Sequence, residues 1–164
     1  MENELKRLAR RVGELLLERR LMFAAAESCT GGWVSQAVTS VPGSSQWFDR
    51  GFVTYSNRAK QEMLGVREET LASHGAVSEA VARAMAEGAL RHSQAQVSLA
   101  VTGIAGPEGG SPDKPVGTVW FAWAAAGRIV IARRESFQGD RTAIRWQSVV
   151  AGLTGVADLL QNIR

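Results

Sequence analysis

Several structural classes are argued against by what this sequence has too little of. Cysteine occurs once, at Cys29, so no intrachain disulfide can form, and a lone thiol fits a reducing compartment. Histidine occurs twice, at His74 and His92, and neither stands in a Cys-x-x-Cys or His-x-x-x-His arrangement, so no metal site is expected. Long apolar runs are missing as well: the longest, Val119 to Ala126, falls far short of the ~20 residues that cross a bilayer. The segment from Glu2 to Arg20 mixes both charges and has no signal-peptide core, so the expected address is the cytoplasm, with no membrane partner. Charge of one sign is scarce: 19 Lys and Arg against 16 Asp and Glu leave a net +3. That mild excess helps attract an anionic ligand. The basic residues are dispersed among acidic ones, so no nucleic-acid partner is expected.

What is present reads as one domain spanning 1–164. Hydrophobic residues make up 45% and charged residues 21%, an ordinary globular balance. A chain of this length buries roughly 70% of its unfolded surface on folding. Leu5, Leu8, Val12, Leu15 and Leu16 recur at helical spacing, which predicts a surface helix ending near Arg20. Met22 to Ala26 reads as a buried strand stopped by Glu27-Ser28, and Trp33 to Val41 as a helix after the break at Ser28 to Gly32. Phe48 to Tyr55 reads as a strand, and Asn57 to Leu64 and Glu68 to Ser73 as short helices. Ser78 is placed to cap a helix running to about Ser93. Val97 to Val101 is a strand, and Thr118 to Ala125 and Arg128 to Phe137 form a hairpin turning at Ala126-Gly127. Asp140 opens the last helix, with Gly152 and Gly155 as points where it breaks. Alternating strands and helices followed by a hairpin predict an α/β three-layer sandwich, a mixed sheet with helices on both faces.

Chemistry has three places to sit. Ser28 ends a strand and is followed by Thr30-Gly31-Gly32 and a helix, where free N–H groups and the helix dipole can hold a phosphate or an oxyanion. The plainer reading is a helix cap with glycines shaping the turn. A nucleophilic serine needs a base, and neither histidine has a setting that supplies one. Lys60 is the better candidate: with Asn57 as cap it lies in a helix's first turn, where dipole and burial both lower its pKa. Tyr55 can face the same cleft and donate to an oxyanion or relay a proton. Against this stands a solvated lysine beside a half-buried tyrosine. Third, Arg141 and Arg145 share a face near a helix N-terminus, where an anion such as phosphate would compensate them. A surface arginine pair is the alternative. The glycine-rich segment from Gly103 to Gly117 holds three of the chain's four prolines, and a loop of that length is often functional.

Taken in order, Ala26-Glu27-Ser28-Cys29-Thr30-Gly31-Gly32, Tyr55-Ser56-Asn57 with Lys60, Gly75-Ala76-Val77-Ser78, Thr102-Gly103-Ile104-Ala105-Gly106-Pro107, Pro115-Val116-Gly117-Thr118 and Gly139-Asp140-Arg141 form a set. The set closely resembles the C-terminal domain family of the competence-damage-inducible protein CinA, in its stand-alone form, the nicotinamide-nucleotide amidohydrolases of bacteria. The resemblance covers nearly the whole chain, to about Arg145. It implies a three-layer α/β enzyme that converts nicotinamide mononucleotide and water to nicotinate mononucleotide and ammonia, without metal or cofactor. It makes Ser28 the nucleophile and Lys60 its general base, with Tyr55 in the same motif. The backbone of Thr30, Gly31 and Gly32 becomes the oxyanion or ligand contact, and Asn57, Thr102, Gly103, Gly106, Arg141 and Arg145 hold the nucleotide. The metal-dependent pyrophosphatase of the longer members' N-terminal domain is not carried over.

The expected partner is therefore a small nucleotide, and the expected assembly a homo-oligomer, a dimer in the simplest case. Three other readings stay open at this point. A non-catalytic nucleotide-binding module would use the same loops and arginines, Cys29 would be the nucleophile in place of its neighbour Ser28, or a basic surface would bind nucleic acid with steep salt dependence.

Overall fold

The computed structural model describes residues 2–127 and 129–163. Helix α1 (Glu2–Arg19) leads into strand β1 (Phe23–Glu27), helix α2 (Trp33–Thr39), a single 3-10 turn at Ser44–Gln46 and strand β2 (Phe48–Val53). Helices α3 (Asn57–Leu64), α4 (Glu68–His74) and α5 (Glu79–Arg91) follow, then strands β3 (Val97–Gly103), β4 (Thr118–Ala125) and β5 (Ile129–Ser136), and helix α6 (Arg141–Asn162). Arg128, where the expected second hairpin strand began, lies outside the described residues.

The strands form one mixed sheet in the order β2-β1-β3-β4-β5. β1 runs parallel to both its neighbours, while β3, β4 and β5 are antiparallel. Because side chains alternate across a sheet, each central strand faces two layers. Phe23, Ala25, Val97, Leu99, Val101, Phe121 and Trp123 pack with α1, α2 and α6 on one face. Ala24, Ala26, Ala100, Ala122 and Ala124 meet α3, α4 and α5 on the other. The three alanines of β1, which on their own fit a helix as well as a strand, are therefore explained by position. Small side chains on the second face let the alanine-rich α5 lie close to the sheet. Ser98 shares that face, and its hydroxyl donates to Ala86 O at 2.7 Å, so this buried polar group is satisfied.

The last helix is continuous, which corrects the expected break. Gly152 and Gly155 lie inside α6 because their missing side chains let it approach the sheet. A Cβ on Gly155 would come within 2.2 Å of the Trp123 ring, and one on Gly152 within 2.8 Å of Leu99. Trp123 Nε1 completes the contact by donating to Gly152 O at 2.9 Å. Several strand limits also differ from expectation: β1 retains Glu27 and buries it, β2 stops at Val53, two residues before Tyr55, and β3 runs past Val101 to Gly103. The C-terminal ends of the three parallel strands, Glu27, Val53 and Gly103, therefore open onto one edge, where ligands gather in open α/β sheets.

Candidate active site

Ser28 is the first residue beyond β1, and its N–H donates to Val101 O at 3.0 Å, which continues the ladder to β3 and fixes where its side chain emerges. Lys60 reaches it from α3. The side-chain nitrogen Nζ lies 3.0 Å from Ser28 Oγ, 3.0 Å from Thr54 O and 3.4 Å from Tyr55 O. Both side chains are enclosed: Ser28 is 8% exposed and Lys60 only 1%. The cap of α3 is Ser56, whose Oγ accepts from Ala59 N–H at 3.0 Å, rather than Asn57. Lys60 stays near the helix start, but burial is what acts on it, and it lowers the Lys60 pKa from the ordinary 10.5. The Cys29 thiol would oppose this only if ionised. Burial pushes that thiol up to about 12, which favours its neutral form near pH 7.

The turn after Ser28 is organised by a residue that sequence reading passed over. Glu27 is fully buried, and its Oε1 accepts from Thr30 Oγ1 at 2.7 Å, Gly32 N–H at 3.2 Å and Val34 N–H at 2.8 Å. Its Oε2 accepts from Ser35 N–H at 3.0 Å and Ser35 Oγ at 2.7 Å. The carboxylate thus occupies the positive end of α2 that was expected to meet a ligand anion. Gly31 and Gly32 supply the left-handed φ values of +57° and +103° that swing the backbone around it. Arg145 closes the other side, donating from Nε to Cys29 O at 3.0 Å and from Nη2 to Thr30 O at 3.1 Å, with its guanidinium carbon 5.5 Å from the Trp33 ring centroid.

In front of Ser28 lies a cleft of about 300 Å³, walled by Tyr55 and Asn57 on one side and by Thr102, Gly103, Gly106 and Glu108 on the other. Arg141 spans its mouth, donating from Nη1 to Gly106 O at 2.8 Å and from Nη2 to the Tyr55 hydroxyl at 3.2 Å. A serine and a buried lysine at the floor, with an arginine at the rim, suit a substrate that pairs an acyl carbon with an anionic group. This arrangement agrees with a direct match: a family model described as the CinA C-terminal domain covers residues 5–160. The chain belongs to the CinA C-terminal domain family. It is 56% identical over 162 residues to a protein of Escherichia coli (strain K12) named nicotinamide-nucleotide amidohydrolase PncC, with 98% of each chain covered. A Pseudomonas putida protein of the same name is 51% identical over 152 residues, covering 93% of this chain and 94% of the other. Among solved structures, the competence/damage inducible protein CihA from Agrobacterium tumefaciens superposes with a TM-score of 0.93 at 46% identity, covering 97% of this chain and 96% of that one.

Within this CinA-family fold, the residues singled out from the sequence divide into two groups. Ser28, Lys60, Tyr55, Asn57, Thr102, Gly103, Gly106 and Arg141 line one cleft. Thr30, Gly31, Gly32 and Arg145 are not on its wall, and the reasons are physical. Thr30 is fully buried with its hydroxyl on Glu27, Gly31 N–H is taken by Ser28 O at 3.1 Å, and Gly32 N–H is taken by Glu27. Arg145 braces the turn instead of facing a phosphate, so the expected arginine pair separates into one brace and one cleft residue. Tyr55 is 63% exposed, and among the described residues its hydroxyl contacts Arg141, not Ser28 or Lys60. Thr102 ties β3 to the turn before α5, donating to Ala76 O at 2.9 Å. His74 and His92 stand at helix C-termini outside the cleft. Two residues were missed, Glu27 and Glu108. Glu27 had a readable signal, an acidic residue next to Ser28 and just before a helix start, whereas Glu108 is placed in the cleft only by the path of its loop.

Proposed function

We propose that this chain hydrolyses the carboxamide of nicotinamide mononucleotide, releasing ammonia and leaving nicotinate mononucleotide, with Ser28 as nucleophile and Lys60 as general base. The observation that carries the reading is the 3.0 Å contact between Lys60 Nζ and Ser28 Oγ, made by two buried side chains at the floor of a cleft. Its support is the near end-to-end likeness to proteins named nicotinamide-nucleotide amidohydrolases. A neutral lysine amine has two hydrogens and one lone pair. The carbonyls of Thr54 and Tyr55 accept the two hydrogens, which turns the lone pair toward the Ser28 hydroxyl.

In the first step the Ser28 proton passes to Nζ as Oγ bonds to the carboxamide carbon. The oxyanion that forms is met by the Cys29 N–H, which makes no backbone–backbone hydrogen bond among the described residues and belongs to the residue after the nucleophile. One such donor typically contributes about 3–4 kcal/mol of barrier lowering, and a well-placed base about 10²–10⁴ in rate. The carbon–nitrogen bond then breaks as Nζ returns the proton to the leaving nitrogen, and ammonia departs from a Ser28 ester. Water attacks that ester, Nζ takes one of its protons, and the same proton restores the Ser28 hydroxyl as the product leaves as a carboxylic acid, which then loses its remaining proton to solvent. Arg141 takes the phosphate, a stronger acceptor than the carbonyl and phenol oxygens it now holds.

The test is ammonia release from nicotinamide mononucleotide, with free nicotinamide as the comparison substrate. Turnover of the nucleotide with little of the free amide is the expected result. Binding of the nucleotide without any ammonia would overturn the enzyme reading and leave a nucleotide-binding module.

A further inference from the structure

We infer that Glu108 makes the cleft selective for a ribonucleotide, its carboxylate accepting hydrogen bonds from the two vicinal hydroxyls of the sugar. The inference rests on the amidohydrolase reading above and concerns the part of the substrate that neither Ser28 nor Arg141 addresses.

The proposed substrate has three recognisable pieces: a carboxamide, a ribose diol and a phosphate. The diol brings two O–H donors, so the cleft needs acceptors for them. Several acceptors at the cleft are already engaged. Thr54 O and Tyr55 O receive Lys60, Gly106 O receives Arg141, and Ala76 O receives Thr102. Glu108 is exposed and is the one carboxylate lining the cleft among the described residues. None of the ion pairs among those residues involves it, although it stands two positions from the glycine that Arg141 holds.

A free carboxylate beside the phosphate-binding arginine works against an anionic ligand unless it has a neutral donor to hold. A vicinal diol supplies two such donors at a spacing that suits both carboxylate oxygens, the way acidic residues in dinucleotide-binding folds hold ribose. The loop presenting Glu108 is anchored rather than free. Ile104 N–H donates to Thr118 O at 2.9 Å, Gly117 N–H donates to Ile104 O at 2.8 Å, and Gly106 is held by Arg141 while its Cα faces Val116. Glu108 thus stands two residues beyond a fixed point of that loop, as a specificity-determining residue of the cleft.

The experiment crosses two changes: Glu108→Ala in the enzyme, and replacement of nicotinamide mononucleotide by its 2′,3′-dideoxy analogue. Either change alone is expected to lower kcat/KM about 10- to 100-fold, the usual worth of hydrogen bonds to a charged acceptor. Together they should lower it little further, because both remove the same contact. Glu108→Gln, which keeps one acceptor oxygen, should fall between wild type and Glu108→Ala on the ribonucleotide. Losses that multiply would overturn the inference, as would wild-type activity in Glu108→Ala. A gain in that variant would also overturn it, showing a carboxylate that merely repels the phosphate. A wild-type enzyme silent on the ribonucleotide would instead remove the amidohydrolase reading, and this inference with it.

Discussion

Replacing Glu27 by glutamine tests whether the turn that carries Ser28 is held together as the geometry indicates. The carboxylate accepts five hydrogen bonds, three at Oε1 and two at Oε2, in a fully buried site. A carboxamide can keep its oxygen toward Thr30, Gly32 and Val34, and Ser35 Oγ can rotate to accept from the new NH₂. Ser35 N–H then faces a donor and has no acceptor, a loss of roughly 1–3 kcal/mol. The remaining contacts fall from charge-assisted to neutral strength, about half as strong each. The two effects overlap, so the expected destabilisation is about 3–5 kcal/mol, in line with removing one partner from a buried charged network. At about 2–4 °C per kcal/mol for a chain of this size, the Tm should fall by roughly 6–20 °C. Calorimetry or a urea melt reads the stability, and kcat reads the nucleophile one residue away. A Glu27→Gln variant melting with wild type would refute the claim that this carboxylate organises the turn.

Four further outcomes follow from the same geometry. Lys60 acts as a base only when neutral and burial holds its pKa below 10.5, so kcat/KM should climb with pH and level off below that value; a flat or falling profile contradicts the assignment. The unfolded chain binds the Lys60 proton more tightly than the folded one, so the contribution of Lys60 to stability decreases as pH falls from 10.5 toward its folded pKa, and a Lys60→Met variant should lose that dependence in urea melts. Cys29 is 7% exposed with its thiol pushed up to about 12. Iodoacetamide should therefore leave it unlabelled in the native protein and label it after denaturation, whereas rapid native labelling would revive a thiol nucleophile. Gly155→Ala sets a methyl against the Trp123 ring, which is already bonded to Gly152 O and stacked 5.5 Å from Phe121. The strain should outweigh the helix propensity gained and cost about 1–3 kcal/mol, measured as a lower urea midpoint.

Much of this fold was legible because its signals were local. Leucine and valine at helical spacing marked α1, Ser78 marked the start of α5, and the apolar pair around Ala126-Gly127 marked the hairpin. The failures came where a distant partner decides. Gly152 and Gly155 read as helix breakers until Trp123 and Leu99 are known to press on them. Glu27 read as the polar end of a strand because its five donors lie three to eight residues onward, on a turn whose path no periodicity reveals. The site shows the same division. Ser28, Lys60 and Arg141 follow from chemistry and motif, and the structure brings all three to one cleft. That Arg145 holds the carbonyls of Cys29 and Thr30 while Arg141 faces the cleft is set by the phase of α6, which a shared helix face does not resolve.

The central claim is that Ser28, activated by Lys60, attacks the carboxamide. It is tested most directly by ammonia release from nicotinamide mononucleotide in the wild type and in a Ser28→Ala variant shown by calorimetry to be folded. The account predicts steady release by wild type and release at the buffer rate by Ser28→Ala, with nucleotide binding retained. Ammonia released at wild-type rate by folded Ser28→Ala would contradict it.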